Sequence, residues 1–217
     1  MIQHDLQDTL IENRLVAILR AADASRFADA ATVLHAAGVR VLEAALTTPG
    51  AADAITTIRK KLGDDAHVGA GSVREVSDVD LSADAGATFL VTPTVNPLVL
   101  ERAHERGLPV ICGALTPTEI DQAWRLGAAA VKVFPIAAVG GIAYLRAIRA
   151  PMPDIPIVPT GGVHLAEVGK YLEAGSIAVA AATPLLGDAL ASGGSLTDLA
   201  TRASEFVAAA AKYVSRV

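Results

Sequence analysis

One cysteine, Cys112, is all the chain contains, so no internal disulfide can form and a reducing cytoplasm fits. No apolar run approaches the roughly 20 residues that a membrane span needs. Long runs of one charge are also missing. The 18 basic and 23 acidic residues give a net charge of −5, which argues against a nucleic-acid surface. The opening Met1-Ile2-Gln3-His4-Asp5 has neither the basic start nor the apolar run of a secretory signal. The histidines His4, His35, His67, His104 and His164 are scattered, none at metal-ligand spacing from another, so no metal site is expected. No Ser-His-Asp order or Walker motif is present. No linker or low-complexity segment divides the chain, and residues 1–217 read as a single domain.

What is present is a repeating pattern. A short apolar run is followed by a helix-start signal, an amphipathic stretch and a glycine. The closing glycines are Gly38, Gly63, Gly86, Gly107, Gly127 and Gly175, and the first five lie 25, 23, 21 and 20 residues apart. Glycine suits the left-handed residue that ends a helix. Eight strand candidates follow: Leu15–Arg20, Val39–Leu46, His67–Gly71, Thr88–Thr92, Leu108–Gly113, Ala129–Phe134, Ile155–Val158 and Ile177–Ala182. Several are almost wholly apolar, as parallel strands covered by helices should be. Phe27, Ala30, Ala31 and Leu34 form one apolar stripe at helical spacing. Thr48-Pro49, Asn96-Pro97 and Thr116-Pro117 each read as an N-cap followed by proline at the first helical position. Glu119 completes a capping box with Thr116. An extra helix around Ile2 to Glu12, with Ile2, Leu6 and Leu10 on one face, would cover the bottom of a barrel. A last helix is expected from about Leu196 to Val214, after a loop at Ala191–Ser195. Uniform units, and no Gly-x-Gly-x-x-Gly after the first strand, predict a compact (β/α)8 TIM barrel rather than an open doubly wound sheet.

In such a barrel function sits where strands end. Lys132 alone of the five lysines lies inside an apolar strand, Ala129-Ala-Ala-Val-Lys-Val-Phe134. Burying an unpaired ammonium is costly, and loss of the proton relieves the cost. A neutral amine is what Schiff-base formation needs. Pairing with a carboxylate, or snorkelling out of the barrel, is the structural alternative. Glu43 lies inside Val39-Arg-Val-Leu-Glu-Ala-Ala-Leu46, on one strand face with Ala45 and Thr47. If that face points inward, Glu43 shares a lumen with Lys132 and can shuttle protons; a purely structural ion pair is the alternative. Thr160-Gly161-Gly162 after the seventh strand suits an anion, since glycine lets backbone N–H groups approach closely, although Gly-Gly also makes ordinary turns. Gly69-Ala-Gly-Ser72 after the third strand carries the same ambiguity. Arg20, ending the first strand, is either a carboxylate ligand or a surface residue. Cys112 reads as a small apolar core residue.

As a set, these residues resemble the 2-keto-3-deoxy-6-phosphogluconate (KDPG) and 4-hydroxy-2-oxoglutarate (KHG) aldolase family. The matching pieces are Val16-Ala-Ile-Leu-Arg20, Val41-Leu-Glu43, Val68-Gly-Ala-Gly-Ser72, Val91-Thr-Pro93, Gly113 with Thr116-Pro-Thr-Glu119, Val131-Lys-Val-Phe-Pro135 and Val158-Pro-Thr-Gly-Gly-Val163. They run in family order from the first strand to the seventh. The resemblance implies a class I aldolase that reversibly cleaves a 4-hydroxy-2-keto acid to pyruvate and an aldehyde, glyceraldehyde 3-phosphate or glyoxylate. It implies Lys132 as the Schiff-base lysine and Glu43 as the acid/base carboxylate. Ser72 stands for a carboxylate-binding threonine, Pro93 and Phe134 for pocket walls, and Thr160, Gly161 and Gly162 for substrate and phosphate contacts. It also implies a homotrimer, a small 2-keto acid as substrate, and no metal or other cofactor.

Three positions depart from the family pattern. Thr47 stands where some members carry a carboxylate-binding arginine, and Arg20 is expected to supply that charge. The Gly-x-Gly-Ser after the eighth strand reads Ala180-Ala-Ala-Thr183, which leaves only the Thr183 hydroxyl and weakens the expected preference for a phosphate. Cys112 replaces a common proline. Three alternatives follow: an aldolase for an unphosphorylated substrate, a barrel that binds a phosphorylated ligand without imine chemistry, and a catalytically silent paralogue that binds a small acid.

Overall fold

The computed structural model describes residues 2–213, with side chains from Leu6 onward. Eight strands are present: β1 (Leu15–Leu19), β2 (Val41–Ala45), β3 (His67–Gly71), β4 (Leu90–Val91), β5 (Val110–Ala114), β6 (Ala130–Val133), β7 (Ile157–Pro159) and β8 (Val179–Ala181). Each is shorter than its apolar run or the same length, except that β5 and β7 gain Ala114 and Pro159 at their ends. Apolarity extends into the turns, whereas ladder hydrogen bonding does not. All neighbours pair in parallel, in the order β7-β6-β5-β4-β3-β2-β1-β8. A bridge between Thr160 and Ala180 joins the two ends. The sheet closes into the (β/α)8 barrel expected from the sequence.

The helices are α1 (Ile2–Asn13), α2 (Phe27–Ala36), α3 (Ala51–Leu62), α4 (Val76–Asp84), α5 (Pro97–Glu105), α6 (Pro117–Arg125), α7 (Gly141–Arg149), α8 (Leu165–Glu173), α9 (Thr183–Leu186) and α10 (Leu196–Ala211). The six closing glycines all have positive φ, between 63° and 101°. Asn96 accepts from the Leu98 N–H at 3.1 Å, and the Thr116–Glu119 capping box forms as read. Thr48-Pro49 is a correction, because α3 begins at Ala51 with Gly50 at its N-cap, at φ 82°. The buried Thr48 hydroxyl instead accepts from the Ala21 N–H at 3.2 Å, tying the β1 and β2 exits together. The final helix ends at Ala211, and Val214 lies outside the described residues, as does the Ile2 side chain.

Strand alternation splits the core in two. Ala17 and Leu19 of β1 face the helices and pack with Phe27 and Leu34 of α2. Val16 and Ile18 face the lumen, with Val41, Phe89, Val91, Ile111 and Val158. Leu6 and Leu10 of α1 join this inner cluster. The Gln7 side chain donates to the Ala129 carbonyl at 2.7 Å, at the start of β6. The extra helix therefore plugs the bottom of the barrel, and a truncation such as Leu10→Ala would cost about 2–5 kcal/mol. With one end sealed and the middle filled, the mouth at the strands' C-terminal ends is left for chemistry.

Candidate active site

Two charged side chains are buried in the barrel wall, Lys132 at 7% exposure and Glu43 at 1%. The ladder registers fix their positions. Glu43 pairs with Ile18 on one side and Gly69 on the other, and Lys132 pairs with Gly113 and Val158. β2 and β6 lie on opposite sides of the eight-stranded barrel. Their side chains cross the lumen, so that Lys132 Nζ lies 3.8 Å from Glu43 Oε1. That is an ion-pair distance but too long for a hydrogen bond. Glu43 Oε1 is fully buried and has no hydrogen-bond partner. An acceptor left in this state is costly, and its free valence faces the one amine in the lumen. The snorkelling alternative for Lys132 is excluded, since its ammonium points inward.

Small residues on the neighbouring strand make room for this arrangement. A Cβ on Gly71 would overlap the Glu43 carboxylate. A Cβ at Gly69 would lie 2.5 Å from the Phe89 ring, which fills the layer below. Cys112 is a buried core residue as expected. Burial raises its thiol to about 11, with a weak opposing contact from Thr92.

Above the pair opens a pocket of about 540 Å³. Lys132 contributes to its floor, and Phe134 stands over it, the ring centroid 5.5 Å from Nζ. Arg20, Thr47, Ser72 and Pro93 line the pocket on the β1–β4 side. Thr160, Gly161, Gly162 and Thr183 line it on the β7–β8 side. Every site residue read from the sequence thus reaches this pocket, save Glu43, which lies against Lys132 beneath it.

Arg20 Nη2 donates to Ser72 Oγ at 2.9 Å, so the two strand ends share one polar corner. Ser72 has φ 61°, a left-handed conformation uncommon for a residue with a side chain. Gly161 and Gly162 follow each other at φ 91° and 81°. A side chain on Gly161 would press on the Phe134 ring, and one on Gly162 on the Ala137 methyl group. Ala182 has φ −109°, outside the left-handed region, and its methyl group is what distinguishes it from the glycine of the family pattern.

Arg74 also lines the pocket and was missed in the sequence. It lies beyond the end of β3, where the alternation that turns Gly69 and Gly71 inward no longer applies, and the motif itself ends at Ser72. Among the described residues no group of three His, Cys, Asp or Glu is placed to hold a metal. No described helix is long and apolar enough to cross a membrane.

Comparison with known proteins points the same way. The sequence profile of the KDPG and KHG aldolase family matches residues 6–198. The 2-dehydro-3-deoxy-phosphogluconate aldolase of Treponema pallidum is 37% identical over 142 residues, 65% of this chain and 67% of that protein. The 2-dehydro-3-deoxy-6-phosphogalactonate aldolase of Escherichia coli is 33% identical over 196 residues, 90% of this chain and 93% of that protein. A solved native KDPGal structure superposes with a TM-score of 0.84 at 32% identity, covering 92% of this chain and 95% of its own. With the barrel, the lysine–carboxylate pair and these relatives in agreement, the chain belongs to the KDPG and KHG aldolase family and is a carbon–carbon lyase of the aldolase type.

Proposed function

We propose that the protein reversibly cleaves a 4-hydroxy-2-keto acid to pyruvate and an aldehyde through a Schiff base on Lys132. One observation carries this reading: a buried amine at the pocket floor, 3.8 Å from a buried carboxylate oxygen that has no other partner. The Lys132 amine adds to the C2 carbonyl, and water leaves to give a protonated imine. Glu43, directly or through a water, takes the C4 hydroxyl proton. The C3–C4 bond breaks, its electrons pass to the imine, and the aldehyde departs. The enamine left behind takes a proton at C3, and hydrolysis releases pyruvate and the free lysine. Each proton taken is returned, which suits one carboxylate acting in both directions. The imine is the electron sink, so the reading requires no metal or external cofactor.

In this reading Arg20 and Ser72 hold the C1 carboxylate, with Thr47 beside them. Pro93 and Phe134 wall the reacting carbons. Thr160, Gly161, Gly162 and Thr183 face the far end of the substrate. A positive-φ glycine pair lining the pocket, with no side chain to block close approach to the backbone, supports an anion there. The substrate class is that of the relatives, 2-keto-3-deoxy sugar acids and 4-hydroxy-2-oxoglutarate. Residues 1–217 act as one domain in a reducing cytoplasm, which the single cysteine and the lack of a linker fit, and as a homotrimer, the assembly that the family resemblance implies. A second reading, preference for an unphosphorylated substrate, is favoured by the methyl groups of Ala180 and Ala182 on the β8 side of the site.

Borohydride reduction in the presence of pyruvate tests the mechanism. One reduced pyruvyl adduct per chain is expected, mapped by peptide mass to Lys132 and absent in Lys132→Ala. An adduct elsewhere, or full aldolase activity in Lys132→Ala, overturns it. An adduct without turnover of any 4-hydroxy-2-keto acid identifies a silent binding paralogue.

A further inference from the structure

Arg74 has no part in the mechanism above, yet its side chain lines the same pocket. Its backbone is held on two sides. Asp78 Oδ2 accepts the Arg74 N–H at 2.8 Å, and Asn96 Nδ2 donates to the Arg74 carbonyl at 3.1 Å. The nearby Asp78 carboxylate is thus engaged with backbone N–H groups, in the capping box of α4. The guanidinium has no ion pair or hydrogen bond among the described residues. Most other described arginines are tied down, although the exposed Arg146, outside the pocket, is not. Arg102 and Arg106 share Asp80, Arg125 pairs with Asp121, and Arg202 donates to two carbonyls. An arginine with a fixed backbone and a free fork, beside a pocket, has the form of an unfilled anion contact.

Depth and charge say which anion. Lys132 is at the floor, Ser72 is half-buried, and Arg74 is exposed at the rim. A substrate with C2 on Lys132 extends its aldehyde half outward to the pocket mouth, which Arg74 lines together with Thr160, Gly161, Gly162 and Thr183. None of the residues lining the pocket is acidic, although the chain as a whole carries a net charge of −5. The local field at the mouth therefore favours a second negative charge on the substrate.

We propose that Arg74 is a specificity-determining residue that binds an anionic group, phosphate or carboxylate, on the aldehyde half of the substrate. The proposal rests on the aldolase reading. It moves part of the selectivity for a charged substrate from the β8 loop, where alanines stand, to the rim beyond β3.

The test compares kcat/KM for three substrates in the wild type, Arg74→Met, Arg74→Lys and Arg146→Met. The substrates are a 2-keto-3-deoxy sugar acid, its 6-phosphate, and 4-hydroxy-2-oxoglutarate. Arg146 is an exposed arginine on α7 outside the pocket, so its variant controls for the loss of one positive charge. Arg74→Met should lower kcat/KM for one or both doubly charged substrates by about 10–100-fold, leaving the neutral-ended sugar acid within a few-fold. Arg74→Lys should recover part of the loss. A fall confined to the 6-phosphate identifies a phosphate contact, and one confined to 4-hydroxy-2-oxoglutarate a carboxylate contact. Equal losses on all three substrates, or none, overturn the proposal, as does an equal effect from Arg146→Met. So does a raised pyruvate half-saturation in borohydride trapping, because it places Arg74 on the C1 carboxylate. Failure of the wild type to form the pyruvyl adduct would instead defeat the aldolase reading itself.

Discussion

Lys132 and Glu43 meet across the lumen from opposite strands, with 3.8 Å between Nζ and Oε1 and no other partner for that carboxylate oxygen. A pair built only for stability would close to a hydrogen bond, because a buried charge gains most from short, directed contact. The gap matters for chemistry, since an amine that must add to a carbonyl needs room on the side from which the substrate enters. Glu43→Gln keeps the size of the side chain and removes its exchangeable charge. Turnover should fall by about 10²–10⁴-fold while pyruvate trapping on Lys132 persists. Near-normal turnover with a lowered melting temperature would show a structural pair instead.

Gly71 is the complement of Glu43, since any side chain there occupies the space of the carboxylate. Gly71→Ala should destabilise the fold by about 1–3 kcal/mol, the cost typical of overpacking, and lower turnover by displacing Glu43. In a Glu43→Ser background, where the long side chain is gone, the same substitution should cost clearly less in denaturant unfolding. Equal costs in the two backgrounds would show that the contact does not constrain the site.

Arg20 and Thr47 share the mouth of the pocket, but only Arg20 carries charge, and it is bonded to Ser72. Arg20→Ala should raise the pyruvate concentration needed for half-maximal trapping by about 10–100-fold. Thr47→Ala should change it by a few-fold at most. The reverse order would move the carboxylate contact from β1 to β2.

The β8 alanines make a prediction of their own. Ala180→Gly/Ala182→Gly removes one methyl group that lines the pocket beside Thr183, at Ala182, and one from the inner core cluster, at Ala180. The relative kcat/KM for a 6-phosphate substrate over its unphosphorylated counterpart should rise. If the wild type already prefers the phosphate strongly and the double variant changes nothing, the alanines are compatible with phosphate binding.

The eight βα units were legible because their signals are local. Apolar runs mark strands wherever both faces are covered, and a glycine closes a helix by its own φ, whatever lies nearby. The same locality exposed Lys132 and Glu43, since a charge inside an apolar strand stands out without knowledge of its neighbours. It also failed at Thr48-Pro49, where the cap signal was sound but Thr48 was taken up by the Ala21 N–H from another unit. Strand order and register belong to the closed barrel, and they alone bring Glu43 of β2 to Lys132 of β6. The need for Gly71 is of that kind too, because it arises from a side chain on the adjacent strand rather than from any turn. Arg74 is the clearest case. In the sequence it is one arginine among many. Its free guanidinium and its place at the pocket rim appear only when the acids of α4 and the exits of distant strands stand in space, because a charge acquires a role from what surrounds it.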